Sequence, residues 1–160
     1  MQAIQPAPAV VPKAAANLVL VRDSAAGPEV LMLKRHGLSD VLGEAHVFPG
    51  GKVDAGDISD PVLALLEESP DVLRQRLGEA ACDERTAAAM FVAAIREAVE
   101  ESSILVALNA DAAQVEAGLA RLRAGTPFVQ MLEDLRIPLA PSQLVPWSRW
   151  ITPNSPQMQR

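Results

Sequence analysis

The stretch D-E-R-T-A-A-A-M-F-V-A-A-I-R-E-A-V-E-E, residues 83 to 101, constrains the fold more than any other. It is the longest helical pattern in the chain, with Phe91, Ile95 and Ala98 on one stripe. Its end, R-E-A-V-E-E, crowds Glu97, Glu100 and Glu101 into an arc of about 100°, because residues three and four apart are helical neighbours. Like charges at that spacing cost roughly 0.2–0.5 kcal/mol per pair in an isolated helix. Either the side chains are well solvated, as an ordinary surface face would be, or something positive offsets them. A hard divalent cation such as Mg2+ would do so, since it takes carboxylate oxygens and keeps several waters for a phosphate-bearing substrate.

The rest of the chain narrows the setting. At 160 residues it has room for one domain with a real core. No apolar run approaches the roughly 18 residues needed to cross a bilayer. The expectation is a soluble protein with no membrane partner. Residues 1–14, with three prolines and a single lysine, read as a flexible tail and not as a secretory signal, which makes a cytoplasmic location the default. A net charge of −6 argues against a nucleic-acid polymer as partner, since tracking a phosphate backbone needs clustered cations. Cys82 is the only cysteine, so the chain builds no internal disulfide and no cysteine zinc site; it reads as a small packed residue.

Two short apolar runs, 17–22 and 29–35, flank the turn D-S-A-A-G-P and read as paired strands. A third extended piece, A-H-V-F, leads into P-G-G-K-V-D-A-G-D, where Pro49, Gly50, Gly51 and Gly56 force a tight loop. Gly50 and Gly51 let backbone approach a ligand without a Cβ in the way, so a carbonyl there can face the cation that the acidic helix would hold. Residues 59–77 carry the serine, aspartate and proline signals of two short helices. Beyond the long helix, 104–108 is strand-like, 111–123 and 127–135 are helical, and 143–152 reads as a last strand broken by Pro146.

The segments F-P-G-G-K-V-D-A-G-D and A-I-R-E-A-V-E-E-S-S-I together resemble the Nudix box, G-x5-E-x7-R-E-U-x-E-E-x-G-U, of the Nudix hydrolases. Gly51 matches the first glycine and Asp57, one methylene shorter, stands at the first glutamate. Arg96, Glu97, Glu100 and Glu101 match the R-E and E-E pairs, Ala98 takes the aliphatic position, and Ser103 replaces the terminal glycine. Between Asp57 and Arg96 lie 38 residues, 58 to 95, where the signature has seven. Loop-closure entropy grows only logarithmically, so an insertion is tolerated. This split, with V-F-P-G-G before it and P-W-S-R-W-I-T-P near the end, is similar to the branch that includes peroxisomal coenzyme A diphosphatases.

The resemblance implies an α+β fold, the Nudix α/β/α sandwich with a mixed sheet, spanning residues 15–160 with a helical insertion at 58–82. It implies hydrolysis of a diphosphate linking a nucleoside diphosphate to another moiety X, coenzyme A or its thioesters among the candidates. The small-molecule diphosphate would be bound through Mg2+ or Mn2+, with Glu97, Glu100, Glu101 and the Gly50 carbonyl as ligands. Glu97 would also be the water-activating base and Arg96 would orient it. The alternative is a Nudix-like binding or regulatory module without turnover. A helical di-iron protein would need Glu-x-x-His pairs, and the sequence has none.

Family members of this branch continue past the P-W-S-R-W-I-T-P segment with further elements, so the chain reads as C-terminally shortened, with an exposed sheet edge through which a homodimer would form. Other residues carry plainer expectations. His36 and His46 are too far apart in sequence to suggest a shared metal site. Lys34 and Arg35 read as a solvated strand end, and Trp147 and Trp150 as packing residues.

Overall fold

A computed structural model describes residues 13–35 and 44–151. The tail expected over residues 1–14 therefore lies outside the described residues up to position 12, as do His36 and residues 152–160.

Helix α3 (Glu84–Ser102) is the central element on which several others pack. Asp83 starts it, its Oδ1 accepting from the Thr86 amide at 2.9 Å and its Oδ2 from the Thr86 hydroxyl at 2.6 Å. The sequence suggested one apolar stripe. The structure buries far more, from Ala87 through Ala89 and Phe91 through Arg96, then Ala98 and Val99. The alanines make this feasible, since a helix surfaced with methyl groups accepts neighbours on several sides at once.

One side of α3 receives the segment between Asp57 and Asp83, folded as α1 (Asp60–Leu63) and α2 (Pro70–Leu77). Both have proline in the first turn, and α2 ends at Gly78 in the left-handed region, φ 71°. Leu73 of α2 buries itself against Ala88 and Phe91. Arg76 ties the same helix to the chain's later part, donating to Glu68 and to the carbonyls of Pro141 and Leu144, with its guanidinium 5.5 Å from the Phe91 ring centre.

A second side carries α4 (Ala112–Arg123) and α5 (Phe128–Leu135). Asp111 and Gln114 close a reciprocal capping box at the start of α4. Gly118 lets α5 come close, because a Cβ there would lie 3.0 Å from Met131 Sδ. Phe128, Met131 and Leu132 join Val62, Val92, Ile95, Val99, Ile137 and Leu139 in the main core.

The extended pieces make the fold α+β. They pair as three antiparallel two-stranded ladders: β1 (Ala15–Asn17) with β6 (Gly50–Lys52), β2 (Val21–Ser24) with β3 (Gly27–Val30), and β4 (Leu33–Lys34) with β5 (His46–Val47). Among the described residues the parallel pairing is a single isolated bridge, Leu66 to Leu139, and the sheets are small antiparallel ladders. The β2–β3 turn is at Ala25–Ala26, closed by Ser24 Oγ donating to the Gly27 carbonyl at 2.8 Å, with Gly27 at φ 111°.

Three expectations change. Residues 104–108 form no strand; Ala107 bridges Leu139 once, because positive φ at Ser103 and Asn109 bounds the run and Pro138 opposite has no amide to donate. Residues 144–151 are likewise not a strand, following a 3-10 turn at Pro141–Gln143 and containing Pro146. Trp147 and Trp150 are not packing residues here, being 93% and 80% exposed. No helix of the described residues is long and apolar enough to cross a membrane.

Candidate active site

The two ends of the split motif meet on one face of α3. β6 lies along the helix because it pairs with β1, a partnership that the weakly patterned A-A-N of β1 does not advertise. The Leu18 amide donates to the Pro49 carbonyl at 2.8 Å and the Val53 amide to the Ala14 carbonyl at 3.0 Å. Hydrogen-bonded pairs alternate along an antiparallel ladder, so residues 49, 51 and 53 turn their polar groups toward β1 while Gly50 and Lys52 turn theirs to the other edge. The contacts agree: the Gly50 amide donates to Glu101 Oε2 at 3.0 Å and the Lys52 carbonyl accepts from Arg96 Nη2 at 2.9 Å.

Both glycines are dictated by space. A Cβ on Gly51 would lie 2.3 Å from Glu97 Oε1, and one on Gly50 would lie 2.5 Å from the Ala16 carbonyl oxygen and 2.3 Å from Asn17 Oδ1. The Glu97 carboxylate therefore rests directly on the Gly51 backbone.

Arg96 is the hub. It is 7% exposed and its guanidinium forks onto the fully buried Asp57, Nε to Oδ1 at 2.9 Å and Nη2 to Oδ2 at 3.1 Å. Its Nη1 donates to Glu97 Oε1 at 2.9 Å and to Glu100 Oε2 at 3.1 Å. Asp54 adds an ion-pair contact at 3.7 Å, and its amide donates to Asp57 Oδ2 at 2.8 Å. Burial alone would ease the guanidinium's proton loss, but the hydrogen bonds and charges of Asp57 and Glu97 outweigh it and raise the arginine's pKa. For Glu97 the balance runs the other way. Burial pushes its carboxyl above the usual range, Arg96 pulls it back, and the neighbouring Glu100 and Glu101 push it up again.

The structure thus answers the crowding of charge in part with protein groups: Arg96 offsets Glu97 and Glu100, and the Gly50 amide engages Glu101. Among the described residues no three His, Cys, Asp or Glu side chains are gathered ready to hold a metal ion. The donors nevertheless suit a hard cation, being carboxylate oxygens on one helix face beside a backbone edge that carries the Gly50 carbonyl. Glu100, with its side chain 40% exposed, is open to solvent, whereas that of Glu97 is only 16% exposed.

Of the motif residues singled out in the sequence, Gly50, Gly51, Asp57, Arg96, Glu97, Glu100 and Glu101 come together here, whereas Ala98 is buried in the core and Ser103 ends α3 with φ 61°. Sequence reasoning missed the Lys52 carbonyl and Asp54 as further holders of Arg96. The first has no side-chain signal, and Asp54 stood out only as an acid three residues before Asp57. His46 sits opposite Lys34 on β5, Lys34 pairs with Glu44, and neither joins the site's ion pairs. Cys82 is half-buried in the bend before α3, where burial raises its thiol's pKa.

Comparison with curated proteins and with solved structures returned no match. Residues 5–160 match the family described as the NUDT19 Nudix domain, a span that contains both halves of the split motif and everything between them. The chain belongs to the NUDT19 Nudix domain family.

Proposed function

We propose that the chain is a metal-dependent hydrolase of a diphosphate linkage, acting on a nucleoside diphosphate joined to another moiety X. Family membership supports a hydrolase of the Nudix type. The observation that carries the finer reading is the seating of Glu97 on Gly51 while Arg96 forks onto Asp57, which unites the two motif halves across 38 intervening residues.

Glu97, Glu100, Glu101 and the Gly50 carbonyl would hold Mg2+ or Mn2+. When bound, the cation supplies charge neutralisation for the diphosphate and activation of water. Arg96 fixes Glu97 Oε1 and leaves Oε2 to accept the proton of the attacking water. Burial of the Glu97 carboxyl, by raising its proton affinity, suits that task. Attack on one phosphorus breaks the bridging P–O bond and releases two phosphorylated fragments. Coenzyme A species are the first substrates to try.

The test is a panel of coenzyme A species, nucleoside diphosphate sugars and dinucleotides incubated with Mg2+ or Mn2+, with products identified by mass. Cleavage at the diphosphate that chelation abolishes is expected; no cleavage of any member, or cleavage indifferent to chelation, overturns the reading. One observation favours binding without turnover: Arg96 Nη1 already engages both Glu97 and Glu100. Binding of a panel member without single-turnover cleavage would establish that second reading.

A further inference from the structure

Beside the acidic face, the end of α3 and the α4–α5 connection enclose a cleft of about 300 Å3. Val99 and Phe128, both buried, are among its apolar lining residues, along with Leu119 and Leu122. Its charged residues are Glu100 and Arg123. Glu100 also belongs to the site described above, through its bond to Arg96 Nη1 at 3.1 Å. The cleft therefore shares Glu100 with the place where a diphosphate would react. The Arg123 side chain is exposed and makes no ion pair or hydrogen bond among the described residues, whereas that of Arg121, two residues earlier and on another face of the helix, is paired with Asp134.

We propose that this cleft receives the non-reacting arm of the substrate, an apolar chain that carries an anionic group placed against Arg123. The inference rests on the hydrolytic reading above and names the kind of X it would take. Apolar lining favours an aliphatic chain, and an uncommitted guanidinium favours a carboxylate or phosphate, which it can meet with two parallel N–H donors. The volume lies at the lower end of small-molecule pockets. The selective contacts would then lie on α4 and in the core, away from the carboxylates that would hold the cation.

The probe is hexyl phosphate, a chain and anion of matching size, titrated into the isotopically labelled full chain beside inorganic phosphate. Hexyl phosphate should move the Leu119 and Leu122 methyl resonances, bind more tightly than inorganic phosphate, and inhibit hydrolysis of the panel competitively. Arg123→Glu, at an exposed and unpaired position that does not threaten folding, should weaken it by about tenfold or more, the scale of a lost charge-assisted contact. Equal binding by the variant, or unmoved leucine methyls while the panel is still cleaved, overturns the cleft and leaves the hydrolytic reading intact. Binding at the cleft with no cleavage of any diphosphate overturns the hydrolytic reading and, with it, the assignment of the occupant to a substrate.

Discussion

Asp57 and Arg96 meet as a two-pronged ion pair although 38 residues separate them, with Asp57 fully buried and Arg96 nearly so. Aspartate reaches as well as a longer acid would because the 3-10 turn at Gly56–Ile58 packs directly on α3 and carries it inward. Removing the Asp57 charge still leaves Arg96 with Glu97 and Glu100 as counter-charges, so the cost is only part of that of a fully unmatched buried charge, about 2–3 kcal/mol. Asp57→Asn should therefore lower the urea midpoint by that much stability, and a loss below about 1 kcal/mol, within the range of surface substitutions and little more, would show that the pair does not hold the motif halves together.

How much of this was legible beforehand depends on range. Helix α3 and the cap at Ser69 rest on local rules and are read directly from the residues, whereas the caps at Asp83 and Asp111 obey the same rules but went unread. The carboxylate cluster was legible from helical spacing. What was not legible is long-range: β1 pairs with β6 through Ala and Asn side chains that carry no alternation, and the Lys52 carbonyl is a backbone group. The strand-like 104–108 failed for a related reason, since its apolar side chains were right for a strand but its partner segment holds Pro138.

Gly51→Ala tests the seating of Glu97. The new methyl would meet Glu97 Oε1 at 2.3 Å, so the carboxylate must move or the strand must retreat. Overpacking of this kind costs about 1–3 kcal/mol. If the clash is with Glu97 alone, adding Glu97→Ala should recover much of the loss in a double-mutant cycle on denaturant stability; simple additivity would place the strain elsewhere.

Glu100→Gln and Glu101→Gln separate cation binding from folding. Both side chains are exposed, and glutamine keeps an oxygen that can accept from Arg96 or from the Gly50 amide. Stability should stay within about 0.5 kcal/mol of the parent. Mn2+ uptake by titration calorimetry and metal-dependent turnover should both be lost. Full activity in either variant removes that residue from the cation's shell.

Acid should loosen the start of α3 through Asp83. Hydrogen bonds from the Thr86 hydroxyl and amide hold its carboxyl below its usual pKa. A carboxyl depressed in the folded state contributes stability that is present above its unfolded pKa and is lost as pH falls through the folded value. The acid limb of a pH–stability curve should therefore be shallower in Asp83→Asn, which keeps a capping oxygen but cannot titrate. Identical acid limbs would mean that the cap's charge does not contribute.

Ser103 pays for its place at the end of α3 with φ 61° and ψ 24°, a left-handed conformation that costs an L-residue roughly 1–2 kcal/mol relative to glycine. Its amide still closes the helix by donating to the Val99 carbonyl at 2.9 Å, a bond that glycine would keep. Glycine's freer unfolded chain takes back about 0.4–1 kcal/mol. Ser103→Gly should therefore gain about 0.5–1 kcal/mol, or about 1–4 °C in Tm for a chain this long. Ser103→Ala, which keeps the Cβ and hence the strain, should show no such gain. A Tm rise in the alanine variant equal to that of glycine would place the cost in the serine hydroxyl and not in the backbone.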